Sequence, residues 1–83
     1  MSGRVVHCKR EPYDVFIGRP SKWGNPWKVG YDGTREEVIK RYEHYILDSE
    51  LIHDVPELRG KVLGCYCSPK PCHGDILVRL ANE

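Results

Sequence analysis

The 83-residue chain lacks what would place it in a membrane or on a secretory route. No stretch approaches the roughly 20 apolar residues of a bilayer span. Its first residues, MSGRVVHCKREP, contain no apolar run of signal-peptide length. The expectation is a cytoplasmic protein in a reducing compartment, where its four cysteines are less suited to disulfides than to metal ligation or thiol chemistry. Internal repeats, low-complexity tracts and linkers are also missing, which argues for a single domain spanning residues 1–83. A large excess of one charge is absent too. The net charge is only +1, so strong non-specific binding to nucleic acid, which needs a clearly basic domain, is not expected.

The charge that is present is unevenly placed. Residues 1–35 carry a balance of +4 and residues 36–60 a balance of −4. The first segment suits a phosphate-bearing ligand; the second suits the solvated face of a helix. A chain this short buries a modest core, so a metal, a disulfide or a partner often adds stability.

RVVHC (4–8) and the alternating YDVFIG (13–18) read as strands, the second with Tyr13, Val15 and Ile17 on one face. GRPSKWGNPWKVGYDG (18–33) reads as a long structured loop with a short strand at Trp27–Val29. Thr34 and Glu37 fit a capping box, and Val38, Tyr42, Tyr45 and Ile46 recur at helical spacing, predicting a helix from Arg35 to about Asp48. Beyond a loop or short helical turn around Pro56, KVLGCYC (61–67) reads as a buried strand and SPKP as a turn. HGDILVRLANE closes the chain as a short helix. The expected fold is α/β: a compact sheet of three to four strands with one long and one short C-terminal helix packed on it.

Two stretches carry chemistry. In GCYCSPKPCHGD, strand alternation turns Cys65 and Cys67 the same way, and a stiff loop returns Cys72 and His73 towards them. Cys65, Cys67, Cys72 and His73 make the four ligands that tetrahedral zinc requires, although the spacing is not a CxxC knuckle and adjacent Cys72 and His73 tend to diverge. Cys8 or His7 on the first strand are alternative ligands. The competing use is a reactive thiol. Cys72 lies at the start of the last helix, whose free N–H groups favour a thiolate, with His73 as base and Asp75 completing the candidate catalytic set. The bland reading is that Cys65 and Cys67 fill the core and that Asp75 merely suits a helix's first turn.

The second stretch is IGRPSKWGNPW. Arg19 and Lys22 supply charge for phosphate, Trp23 and Trp27 supply rings, Asn25 supplies an amide, and Gly18 and Gly24 let the backbone come close. The alternative is a loop whose tryptophans pack inside. Arg35 opens the helix just downstream, where a cation is unfavourable, so an anion is expected to hold it. If strands 13–18 and 61–67 pair in parallel, both dense loops leave the sheet at the same edge and form one pocket.

The pairing of VFIGRPSKWGNPW…GTREEVIKRYEHYI with LGCYCSPKPCHGDIL resembles the family catalogued as domain of unknown function 4326, small proteins of bacteria and bacteriophages. The resemblance covers about Val5 to Leu80. It falls on Gly18, Arg19, Trp23, Gly24, Asn25 and Pro26, and on Cys65, Cys67, Cys72, His73 and Asp75, while Cys8 and His7 lie outside it. It implies that the two stretches form the site and that the chain, if phage-encoded, works in the host cytoplasm. It assigns no activity.

The leading functional expectation is a zinc-binding Cys/His site beside a basic loop that binds a nucleotide or nucleic acid. One alternative is an enzyme on nucleotide-like substrates, using Cys72 or a zinc-bound water. Another is a phage-type interaction protein that modulates a host protein, with zinc only structural and the acidic helix, through Glu36 or Glu43, as contact surface.

Overall fold

The computed structural model describes residues 3–19, 21–67 and 70–83. The turn expected at SPKP includes Ser68 and Pro69, which lie outside the described residues.

Three short strands, β1 (Arg4–His7), β2 (Val15–Phe16) and β3 (Val62–Cys65), form one sheet in the order β1-β3-β2. Both pairings are parallel, with Val5 and Val15 flanking Leu63, and Val6 and Phe16 flanking Gly64. Parallel strands need crossover connections. Residues 8–14 supply one, and the long loop, helix α1 (Arg35–Asp48) and two 3-10 turns (Glu50–His53, Val55–Leu58) supply the other. Helix α2 (His73–Ala81) closes the chain.

Helix α1 begins and ends as the sequence predicts. Thr34 Oγ1 accepts from Glu37 N–H, and the Glu37 carboxylate accepts from Thr34 N–H, so two orphan donors are satisfied reciprocally. These bonds hold the Glu37 carboxyl below its usual range. Val38, Tyr42 and Ile46 form its buried face. Tyr42 is fully buried, and its hydroxyl donates to the Trp23 carbonyl at 2.7 Å. That bond ties the long loop to the helix, and burial pushes the phenol pKa up.

The core lies on one face of the sheet, where Leu63, Cys65 and Ile17 meet Trp23, Tyr42, Ile46, Ile76 and Leu77. Val5 and Val15 pack against its edge. Helix α2 comes so close to the sheet that a Cβ on Gly74 would stand 2.7 Å from Ile17 and 2.9 Å from Val5. A larger residue there would have to displace those side chains.

Three expectations need correction. The three strands found among the described residues fall within the expected three to four, but Trp27–Val29 is not one of them: Val29 makes only an isolated bridge to Gly33, because Gly30 and Gly33 adopt positive φ and turn the chain back on itself. The second strand is only Val15–Phe16, since the Asp14 carboxylate accepts from Val62 N–H and Asp14 N–H donates to the Val62 carbonyl. Tyr13 consequently leaves the Val15 and Ile17 face and is 42% exposed.

Candidate functional site

Strands β2 and β3 run parallel, so the loops after them leave from the same edge. Between those loops and the start of α1 lies an open cleft of about 380 Å³. It is lined by Gly18, Arg19 and Asn25, by Trp27, Lys28, Val29 and Tyr31, by Arg35, Val38 and Ile39, and by Cys65, Tyr66, Cys67, Cys72 and His73. The cysteine stretch and the Arg/Trp stretch therefore face one space, outside the carboxyl ends of parallel strands where α/β folds place ligands.

The thiols form one wall. Cys65 and Cys72 are buried, with their sulfurs 3.4 Å apart. Cys67 is half-buried at the cleft, which Cys65, Cys72 and Arg35 also line. The neighbouring Cys65 thiol first, then Cys72, then the Arg35 guanidinium pull the Cys67 thiol far below the ordinary range. The same contacts and burial push the Cys72 thiol up. Of the two, Cys67, which faces the cleft, is thus the more readily ionised.

Cys72 has a second task. It is the N-cap of α2: its Sγ accepts from Gly74 N–H at 3.3 Å, and the Asp75 carboxylate accepts from Cys72 N–H at 3.1 Å. Asp75 is exposed and serves as the reciprocal half of that capping box. His73 is buried; its Nε2–H donates to the Ile17 carbonyl at 2.8 Å and its ring stands edge-on to Tyr42. Burial lowers its pKa, so it is held neutral. The side chains of Cys72 and His73 thus diverge, as neighbours tend to. Among the described residues, no group of three or more His, Cys, Asp or Glu side chains stands arranged to hold a metal ion. Of the sequence-predicted ligand set, Cys65, Cys67 and Cys72 share one wall of the cleft, while the His73 ring is turned to the Ile17 carbonyl. Neither alternative ligand lines the cleft: His7, the register partner of Cys65, accepts at Nδ1 from Lys9 N–H, and half-buried Cys8 donates its backbone N–H to the Cys65 carbonyl.

The opposite wall divides the predicted ligand residues. Gly18, Arg19, Asn25 and Arg35 line the cleft; Lys22 and Trp23 do not. Lys22 Nζ sits 3.2 Å from both Asp54 and Glu57, which raise its pKa, and over the Trp23 ring. Trp23 is a core residue, 2% exposed. Asn25 is a clamp: Nδ2 donates to the Val38 carbonyl and Oδ1 accepts from Trp27 N–H. It fixes the loop against α1 and sets Trp27 edge-on to Tyr45. Arg35 donates to the Pro71 carbonyl at 3.1 Å and lowers the pKa of the nearby Cys67 thiol. Sequence reasoning missed Lys28, Tyr31 and Tyr66 as lining residues. The alternation of basic and aromatic residues that singled out the loop continues through Lys28 and Tyr31 and was the available signal.

Among the described residues no helix is long and apolar enough to cross a membrane. The chain is 41% identical over 86 residues to the "Uncharacterized 12.4 kDa protein in nrdA-td intergenic region" of Enterobacteria phage T4, covering 96% of this chain and 78% of that protein. It is 38% identical over 85 residues to "Uncharacterized protein R718" of Acanthamoeba polyphaga mimivirus, covering 81% of this chain and 65% of that protein's length. No solved structure matches. The sequence matches the family described as Domain of unknown function (DUF4326) over residues 4–83, and the chain belongs to that family.

Proposed function

We propose that the cleft binds a nucleotide, free or within a nucleic acid, with its phosphate on Arg19, Arg35 and Lys28 and its base against the aromatic side chains. One observation carries this reading: the cleft is lined by three cationic side chains and three large aromatic ones, with no Asp or Glu among its described lining residues. Counting Cys67 as a thiolate leaves an excess of positive charge. A cleft of one sign focuses the field on an oppositely charged ligand. Calorimetric titration with nucleoside 5′-monophosphates tests the reading. Arg19→Gln is expected to weaken binding about tenfold or more, as loss of a charge-assisted hydrogen bond does. Unchanged affinity in that variant would contradict it.

A second reading, an enzyme acting on that nucleotide, is favoured by the state of Cys67. Its lowered thiol pKa, its exposure to the cleft and its Arg35 neighbour make it a better nucleophile than Cys72, which is buried and capping a helix. Saturating monophosphate is expected to protect Cys67 from iodoacetamide; equal alkylation with and without ligand would separate the thiol from the binding site. Zinc on the same thiols, with His73, is the competing use. Elemental analysis of protein purified without added metal decides it, since stoichiometric zinc would overturn the free-thiolate reading. An interaction role through the acidic face of α1 draws less support at Glu43, which is paired with Arg79, whereas Glu36 is exposed.

A further inference from the structure

The second face of the sheet differs in kind from the first. Helix α2 covers the face bearing Val5 and Leu63, whereas residues 8–14 cross the other, bearing Val6, Gly64 and Phe16. Gly64 has no side chain, and the Tyr13 ring takes its place: a Cβ there would stand 2.6 Å from that ring. Tyr13 contacts Phe16 at a centroid distance of 6.1 Å, Phe16 contacts Tyr66 at 5.8 Å, and Tyr66 contacts His7 at 6.1 Å. A buried aromatic chain of this kind would be ordinary core. Here Tyr66 is 57% and Tyr13 42% exposed, so the chain is a surface.

Its charges favour an anion. Lys9 Nζ lies 5.9 Å over the Tyr66 ring, and Arg10 is exposed on the same crossing segment. The acids of that segment are engaged: Glu11 pairs with Arg4, and Asp14 accepts from Val62 N–H. Tyr66 also lines the cleft, so the aromatic surface and the cleft are continuous. Single-stranded nucleic acid is read by such combinations, with rings for successive bases and cations along the backbone.

We infer that the nucleotide held in the cleft is one residue of a single strand, which passes Tyr66 at the cleft's rim and stacks its neighbouring bases on Phe16 and Tyr13 while Lys9 and Arg10 follow the phosphates. This rests on the nucleotide reading of the cleft and adds the class of polymer to it.

The test is the ratio of oligonucleotide to mononucleotide affinity, measured at low salt for ten-residue oligo(dT) against thymidine monophosphate and for oligo(U) against uridine monophosphate. The expected ratio is at least tenfold on one arm, and the higher arm identifies the sugar. Tyr13→Leu is expected to reduce that ratio roughly five- to hundredfold, the range for loss of one stacked base, with mononucleotide affinity unchanged because Tyr13 lies outside the cleft, while Tyr13→Phe preserves the ratio. Tyr13→Leu keeps an apolar cover over Gly64, so the variant is expected to fold. Lys9→Ala is expected to lower the salt slope of oligonucleotide binding by about 0.7. A ratio near one with normal mononucleotide binding would overturn the single-strand inference and leave the cleft reading standing. So would a ratio indifferent to loss of the rings. Failure to bind either ligand would overturn both.

Discussion

The two helices begin with the same device made from different atoms. At α1 the N-cap is Thr34, an exposed hydroxyl reciprocated by Glu37. At α2 it is Cys72, a buried thiol reciprocated by Asp75. Sulfur is a weak acceptor, and cysteine is not among the preferred N-cap residues. Thr34 does what a cap needs and touches nothing else of consequence. Cys72 caps less well but also donates into a thiol cluster that charges its half-exposed neighbour. The difference teaches where function departs from local optimum: a suboptimal cap coincides with the wall of the cleft.

Substitutions at the two starts sharpen that contrast. The largest effect is expected from Arg35→Gln, which removes a cation from both cleft and thiol. Monophosphate affinity should fall ten- to a hundredfold, as for a lost hydrogen bond to a charged group, and the pH midpoint of Cys67 alkylation should rise towards the ordinary value of about 8.5. Cys72→Ala is next. It loses the cap and leaves a small void, and chemical denaturation should show about 2 kcal/mol of destabilisation. Thr34→Ala loses only a surface cap, for about 1 kcal/mol. Cys72→Ser keeps both an N-cap acceptor and a donor, so stability should change by less than about 1 kcal/mol and Cys67 alkylation at low pH should persist, whereas Cys72→Ala slows it. If Cys72→Ala slows nothing, the thiol was there only as a cap and the contrast collapses.

The smallest effect concerns pH. Burial lowers the folded-state pKa of His73, so the unfolded chain binds a proton more readily than the folded one. Stability should be flat above about pH 6.5, the ordinary histidine value, and fall as pH drops below it, levelling off once the folded-state pKa is passed. Thermal melts of wild type and His73→Gln should diverge in that window, the variant losing the His73 share of the decline.

Helix α1 is legible from the sequence because everything defining it is local: Thr34 and Glu37 are three residues apart, and Val38, Tyr42 and Ile46 follow one stripe. The parallel pairing of β2 with β3 enters from the sequence only as the condition for one shared pocket, and the observed register meets that condition. The failures are non-local. Lys22 reads as a phosphate ligand until Asp54 and Glu57 arrive from a 3-10 turn more than 30 residues away. Tyr13 alternates correctly with Val15, but Asp14 bonds Val62 across the sheet and breaks the alternation. Among the cysteines, spacing groups Cys65 with Cys67 but cannot say which sulfur carries charge. That depends on Arg35, brought to the cleft by the start of α1.

The account turns on the cleft being an anion site, and the phosphate dependence of binding tests this most directly. A calorimetric titration of a nucleoside 5′-monophosphate, run beside its unphosphorylated nucleoside, is expected to give saturable binding that needs the phosphate and weakens as salt rises. Equal binding of nucleoside and nucleotide, or no saturable binding of either, would contradict it.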